Sequence, residues 1–152
     1  MPHIHDLIDF CVNAVIVCDD KVLLVDHKKL HTWMPVGGHI ELDEDPDQAL
    51  LREVREECGL EIEVVADKAQ VEGSDVKFLY RPQFVDIHQV NEAHRHVGFV
   101  YFCKSKTQAV TLAADEHNAI RWFTLAELAD PQFAILPSIR HYAEQALLKF
   151  RL

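Results

Sequence analysis

Apolar and β-branched residues dominate positions 9–18 (DFCVNAVIVC), stop at Asp19-Asp20 and resume at 21–26 (KVLLVD). Two such runs across a two-residue break predict a β-hairpin. Further on, 61–66 (EIEVVA) alternate as a half-buried strand does, and 83–90 (QFVDIHQV) and 97–103 (VGFVYFC) read as strands around a loop at Asn91–Arg95. Between these lies a helical signature over 46–58. Asp45 suits the N-cap, Pro46 the first position and Gln48 the reciprocal half of a capping box, while Gly59 suits the left-handed stop. At helical spacing Leu50, Leu51, Val54 and Cys58 share one apolar face, and Glu53, Glu56 and Glu57 gather on the neighbouring one. Thr124 is expected to cap a short helix over 125–129, and 139–148 reads as a closing amphipathic helix. Residues 67–82 are broken by Gly73-Ser74-Asp75 and Arg81-Pro82, and Met1–Leu7 reads as a loose start, where His3 and His5 could bind metal but a frayed terminus is the plainer reading. No repeat or linker interrupts the pattern, so one α/β domain over 1–152, a mixed sheet between helices, is expected.

Composition narrows the classes. A chain of 152 residues can bury about 70% of its unfolded surface, and 49% hydrophobic with 26% charged residues suits an ordinary globule. No apolar run approaches the roughly 20 residues of a membrane span, and no basic-then-apolar leader opens the chain, so a cytoplasmic protein without a membrane role is expected. A net charge of −10 argues against sequence-independent binding to nucleic acid. Cys11, Cys18, Cys58 and Cys103 form no C-x-x-C pair and sit in apolar segments, which suits buried, reduced thiols.

Charge is concentrated in one place. Between Glu41 and Glu57 stand eight acidic residues against Arg52 and Arg55. Three glutamates near a helix C-terminus repel one another and oppose the helix dipole, and a hard divalent cation, Mg²⁺ or Mn²⁺, would relieve this. A solvated acidic face is the plainer alternative. Lys28 and Lys29, in the basic loop His27–His31, are placed to meet a substrate phosphate or simply to solvate a connection. Gly37 and Gly38 would let the backbone approach a phosphate or metal closely, and Trp33 just before them could stack on a base or fill core. His94 and His96 fall on one side of a strand, either touching substrate or lying at the surface where the strand starts.

The run Gly38, five residues, Glu44, seven residues, Arg52-Glu53, Val54, Arg55, Glu56-Glu57, Cys58, Gly59, Leu60 resembles the Nudix box, G-x5-E-x7-R-E-U-x-E-E-x-G-U with U apolar, at every specified position. The resemblance implies an α/β/α Nudix sandwich and a Mg²⁺-dependent (or Mn²⁺-dependent) pyrophosphohydrolase that cleaves a nucleoside diphosphate linked to another group. On that basis Glu53, Glu56 and Glu57 are expected to hold one or more ions, with the main-chain carbonyl of Gly38 or Gly37 in reach. Arg52 is expected to position a ligating carboxylate, and Glu44 to complete that network. The stretch 115–128 is similar to the family's late segment, where an acidic residue supplies a metal contact or the general base. Glu116 fits that place best and Asp115 is its rival; Glu53 and Glu116 both stand as candidate base.

The same residues bear on other functional classes. Asp43-x-Asp45-x-Asp47 suggests a calcium loop, but Pro46 and Gln48 stand where that loop is intolerant. A catalytically silent nucleotide sensor would not need the Arg-Glu and Glu-Glu pairs. A purely structural domain leaves the acidic cluster unexplained, although a homodimer is compatible with catalysis. Substrate class stays open among nucleoside triphosphates, their oxidised forms and nucleotide sugars. Val76 stands where relatives cleaving ADP-ribose often carry proline, and no tyrosine stands there as in relatives cleaving dinucleoside polyphosphates.

Overall fold

The structure is a computed structural model and describes residues 3–151. Its centre is an eight-stranded mixed sheet. β1 (Ile8–Cys18) and β2 (Lys21–His27) form the expected hairpin, with Asp19 at φ 55° in the turn. β1 then runs parallel to β7 (His94–Lys104) along its whole length, from Ile8 beside Arg95 to Val17 beside Lys104. The other pairings are antiparallel. β3 (Thr32–Met34) and β8 (His117–Phe123) flank β2, β4 (Val36–His39) pairs with the first half of β1, and β5 (Glu63–Val64) and β6 (Phe84–Asn91) pair with β7.

The alternation along β1 explains the layers. Val12, Ala14 and Ile16 point to one face, where they pack with Leu50, Val54 and Cys58 of α1 (Pro46–Cys58). Val15 and Val17 point to the other, where Ile139, Tyr142, Ala143 and Leu147 of α3 (Pro137–Lys149) cover them, with Leu128 of α2 (Leu125–Leu128) beside them. A strand buried on both faces reads as a continuous apolar run, which is why β1 shows no clean alternation in the sequence. The result is the expected α/β/α sandwich. All four cysteines are free and buried, as expected, and among the described residues no helix is long and apolar enough to cross a membrane.

Helix α1 begins and ends as expected. The Asp45 side chain accepts from the Gln48 amide, Gln48 returns the bond to the Asp45 backbone, and Gly59 at φ 70° closes the last turn on the Arg55 carbonyl.

Several expectations need correction. The stretch 32–39, to which the apolar pattern assigned no element, forms two short strands separated only by Pro35, which has no N–H to donate to a ladder. The strand expected over 61–66 is paired only at Glu63–Val64: β7 ends at Lys104, opposite Glu63, and further along β7 the partner is β6, from Phe84 opposite Val100. The loop expected at Asn91–Arg95 is only Glu92-Ala93, and β8, which carries His117, was not anticipated as a strand. Leu51 is 38% exposed, so the buried stripe of α1 runs through Ala49, Leu50, Glu53, Val54, Glu57 and Cys58. The start of the chain is held rather than frayed from His3 onward: the amides of Ile4 and His5 donate to Asp9, and Arg95 donates to the Leu7 carbonyl.

Trp33 sits with its ring edge-to-face on Phe123 (5.0 Å) and near Phe133 (6.5 Å), against the α3-side core. Trp33→Ala is therefore expected to destabilise the protein by about 3 kcal/mol, the scale of a large aromatic lost from a packed site. Chemical denaturation measures it directly, and an unchanged midpoint would mean the ring contributes nothing to packing.

Candidate functional site

The stripe that fixes α1 to the sheet contains two carboxylates. Glu53 is 1% exposed and Glu57 2%, one turn apart on the same helix face, whereas Glu56 is turned out to solvent. The expectation that all three glutamates share one face is thus corrected: spacing of three and four places Glu53 and Glu57 with Leu50, Val54 and Cys58, and Glu56 on the shoulder.

Glu53 fits because of what lies opposite. A Cβ on Gly38 would stand 2.4 Å from Glu53 Oε1, so any side chain at 38 would displace the carboxylate. Gly37 is equally confined, its Cβ position 2.1 Å from the Val12 carbonyl oxygen. Here the double glycine provides close approach rather than an unusual φ.

Arg52 reaches across the helix start and binds four groups with one guanidinium. Nε and Nη2 donate to Glu44 (2.5 and 2.9 Å), Nη1 to Glu53 Oε1 (2.9 Å) and Glu56 Oε2 (3.2 Å), and Nη2 also to the His39 carbonyl (3.1 Å). The planar fork suits this multidentate work in a way an ammonium would not. The Arg52 hydrogen bond holds Glu44 below its ordinary pKa, and the Glu41 amide donates to Glu44 Oε2 (3.1 Å), closing the loop before α1.

The other carboxylate has a partner that the sequence did not single out. His117 of β8 is 3% exposed and its Nε2 donates to Glu57 Oε2 at 2.8 Å, while its Nδ1 is buried without a partner. The only sequence signal for it is its position directly after Glu116: with Glu116 outward, the next residue of the strand faces in. Glu116 itself is exposed, and its carboxylate lies with Glu57 and His117 in a group whose ligand atoms are all within 4.8 Å of one another. Asp115 is not part of that group. Lys28 lies nearby, but its ammonium donates to the Ala114 carbonyl and its amide to the Glu116 carbonyl (3.2 Å), tying the Glu116 loop to the end of β2; Lys29 is exposed.

His94 and His96 are elsewhere. They share one side of β7, as expected, but His94 is buried beside Asp9, and His96 meets His39 on the sheet face opposite α1. Neither is a surface residue at a strand start. Burial and the surrounding imidazoles push His96 down to about 4.

Burial and mutual charge set the α1 pair apart from the other carboxylates. Burial, then the Glu57 charge, push Glu53 up from 4.5 to about 8, with Arg52 opposing; burial also raises Glu57, with His117 opposing. A carboxyl whose folded pKa exceeds its unfolded one binds more protons in the folded state, so stability falls as pH rises from about 4.5 to about 8. In chelator-treated protein, Glu53→Gln is expected to flatten that fall and to melt at least about 3 °C above the wild type at pH 8. Melting curves from pH 5 to 9 test this; parallel curves for the two proteins would show that Glu53 is not the titrating group.

The comparisons with known proteins agree with this geometry. The family model of the NUDIX domain matches residues 10–144. The chain is 30% identical over 127 residues to the CTP pyrophosphohydrolase of Escherichia coli (strain K12), covering 79% of this chain and 94% of that protein. It is 28% identical over 130 residues to a MutT-like protein of Streptomyces ambofaciens, covering 85% of this chain and 70% of that one. Among solved structures, a NUDIX-family hydrolase from Clostridium perfringens superposes with a TM-score of 0.84 at 30% identity, over 94% of this chain and 98% of the other. The Nudix box at Gly38–Leu60, with Glu53 buried against Gly38 inside a mixed-sheet sandwich, and matches spanning most of the chain lead to one assignment: the protein belongs to the Nudix family and is a hydrolase acting on phosphoanhydride bonds.

Proposed function

We propose that this protein is a Mg²⁺-dependent pyrophosphohydrolase that cleaves a nucleoside diphosphate linked to a further group, and that it works as one Nudix domain. The observation that carries the reading is the pair Glu53 and Glu57, two carboxylates buried one helical turn apart and both pushed toward protonation. A structural domain gains nothing from that arrangement, whereas a cation site requires it. The E. coli relative is named for CTP, which puts nucleoside triphosphates first among the substrates.

The donor set suits a hard divalent ion. Glu57 and Glu116, whose carboxylates lie close together, are the first oxygens we assign to it; Glu53 and Glu56 on α1 and the Gly38 carbonyl at the turn complete the assignment. Bound there, Mg²⁺ or Mn²⁺ would neutralise the anionic oxygens that shield phosphorus and make water a stronger acid.

The chain's own residues supply the rest. Arg52 fixes Glu53 and Glu56 relative to each other and to the Gly38-His39 backbone. His117 holds the Glu57 carboxylate in one orientation, as a partner behind a ligand does. Glu53 is buried against Gly38 at the turn, and we assign it, beside its contact to the metal, to take the proton from the attacking water. Glu116, exposed at the rim, is assigned to the metal alone. Lys29 faces solvent and is free to meet substrate phosphate, while Lys28 serves by holding the Glu116 loop.

The test is release of phosphate or nucleotide from a panel of nucleoside triphosphates and nucleotide sugars, with and without Mg²⁺. Turnover is expected only with the metal. Glu53→Gln should lower kcat by about 10²–10⁴ with KM little changed. Glu116→Gln should instead raise the Mg²⁺ concentration needed by about 10–100-fold. Metal-independent turnover, or a panel with no substrate at all, would overturn the reading, and equal loss of kcat in both variants would remove the division of roles.

A further inference from the structure

We propose that His3, Asp9, His39 and His96 form a second metal site, for a zinc-class ion, on the face of the sheet opposite α1. The site does not rest on the hydrolase reading. Strand alternation separates it from the acidic one: β4 turns Gly38 toward Glu53 on α1 and His39 to the other side, in register with Cys11, while Asp9 and His96 are direct neighbours on β1 and β7.

The geometry is that of a coordination shell. His3 Nδ1 lies 3.2 Å from Asp9 Oδ2, His39 Nε2 lies 3.5 Å from the same oxygen, and His39 Nε2 lies 3.2 Å from His96 Nε2. All four ligand atoms are within 4.8 Å of one another. Ligands about 2.0–2.1 Å from a tetrahedral ion are separated by about 3.3 Å, the spacing of these three edges. Three imidazoles and one carboxylate favour zinc and its neighbours over Mg²⁺, which prefers oxygen.

With neutral imidazoles, hydrogen bonding alone leaves the cluster unsatisfied. Asp9 is fully buried, and Oδ2 already accepts from the Ile4 amide (3.1 Å) while the His5 amide takes Oδ1 (2.7 Å). Three imidazole nitrogens nonetheless converge on Oδ2, because His94 Nε2 also stands 3.2 Å away. His94 is 2% exposed, and its Nδ1 donates to the Asp6 carbonyl at 3.0 Å. In a neutral ring that bond leaves Nε2 as a lone pair facing a carboxylate oxygen, and this Nε2 has no hydrogen-bond partner. A cation beside Oδ2 removes the conflict, with His94 oriented by Asp6 behind the shell. The ion would fasten residues 3–9 to the sheet and steady His39, whose carbonyl receives Arg52.

The test uses the tag-free full chain, stripped with a chelator, and Co²⁺ as a spectroscopic probe. One equivalent of Co²⁺ should give the intense visible absorption of a tetrahedral site, displaced by Zn²⁺ but not by excess Mg²⁺. Glu57→Gln, which impairs the acidic site, should leave the spectrum intact. His3→Ala and His96→Ala should each weaken binding at least about 10-fold. His3 lies outside the sheet, so its variant stays informative if His96→Ala does not fold. Absence of the tetrahedral band in the wild type, its loss in Glu57→Gln, or unchanged affinity in His3→Ala would each overturn the proposal.

Discussion

Two like charges buried one helical turn apart are the constraint around which this protein is arranged. Glu53 and Glu57 occupy positions of α1 that would ordinarily hold leucine or valine, in line with Leu50, Val54 and Cys58. Uncompensated, such a pair costs several kcal/mol, far more than any surface contact could offset. The surroundings answer with three devices: the Arg52 fork on one side, His117 on the other and, at Gly38, the absence of a side chain. The caps at Asp45 and Gly59 fix where the helix starts and stops, and hence where on the sheet the two carboxylates arrive.

The sheet delivers the remaining parts. β4 carries the double glycine because it pairs with the first half of β1, and β8 carries His117 because it pairs with β2. The loop before β8 is tied to the end of β2 through Lys28, which brings Glu116 to Glu57 across a sequence separation of 59 residues. Both faces of β1 are buried, so the strand that organises these pairings has little freedom to shift register.

Local chemistry was legible in the sequence and long-range partnership was not. The capping box, the glycine stop and the Asp19-Asp20 turn each depend on neighbours a few residues away, and each formed as read. The box pattern also gathered Arg52, Glu53 and Glu57 on one helix, and the resemblance of the late segment offered Glu116 or Asp115 to join them. What escaped was the use of residues whose partners lie far along the chain. His117 looked like any histidine near a loop until β8 paired with β2. Asp9 sat unnoticed at the start of an apolar run, although it holds the first residues of the chain and gathers three imidazoles. Leu51 misled because an apolar face drawn on a helical wheel does not say which edge of it the sheet will cover.

The central claim is that the α1 carboxylates are buried for the sake of a divalent cation. Its most direct test is the melting temperature of chelator-treated protein at pH 7.5 as Mg²⁺ is added, for the wild type and for Glu57→Gln. Binding to the folded state alone raises stability with ligand concentration. The account predicts a rise that continues with Mg²⁺ in the wild type and nearly vanishes in Glu57→Gln. A wild type indifferent to Mg²⁺, or a variant that responds equally, would contradict it.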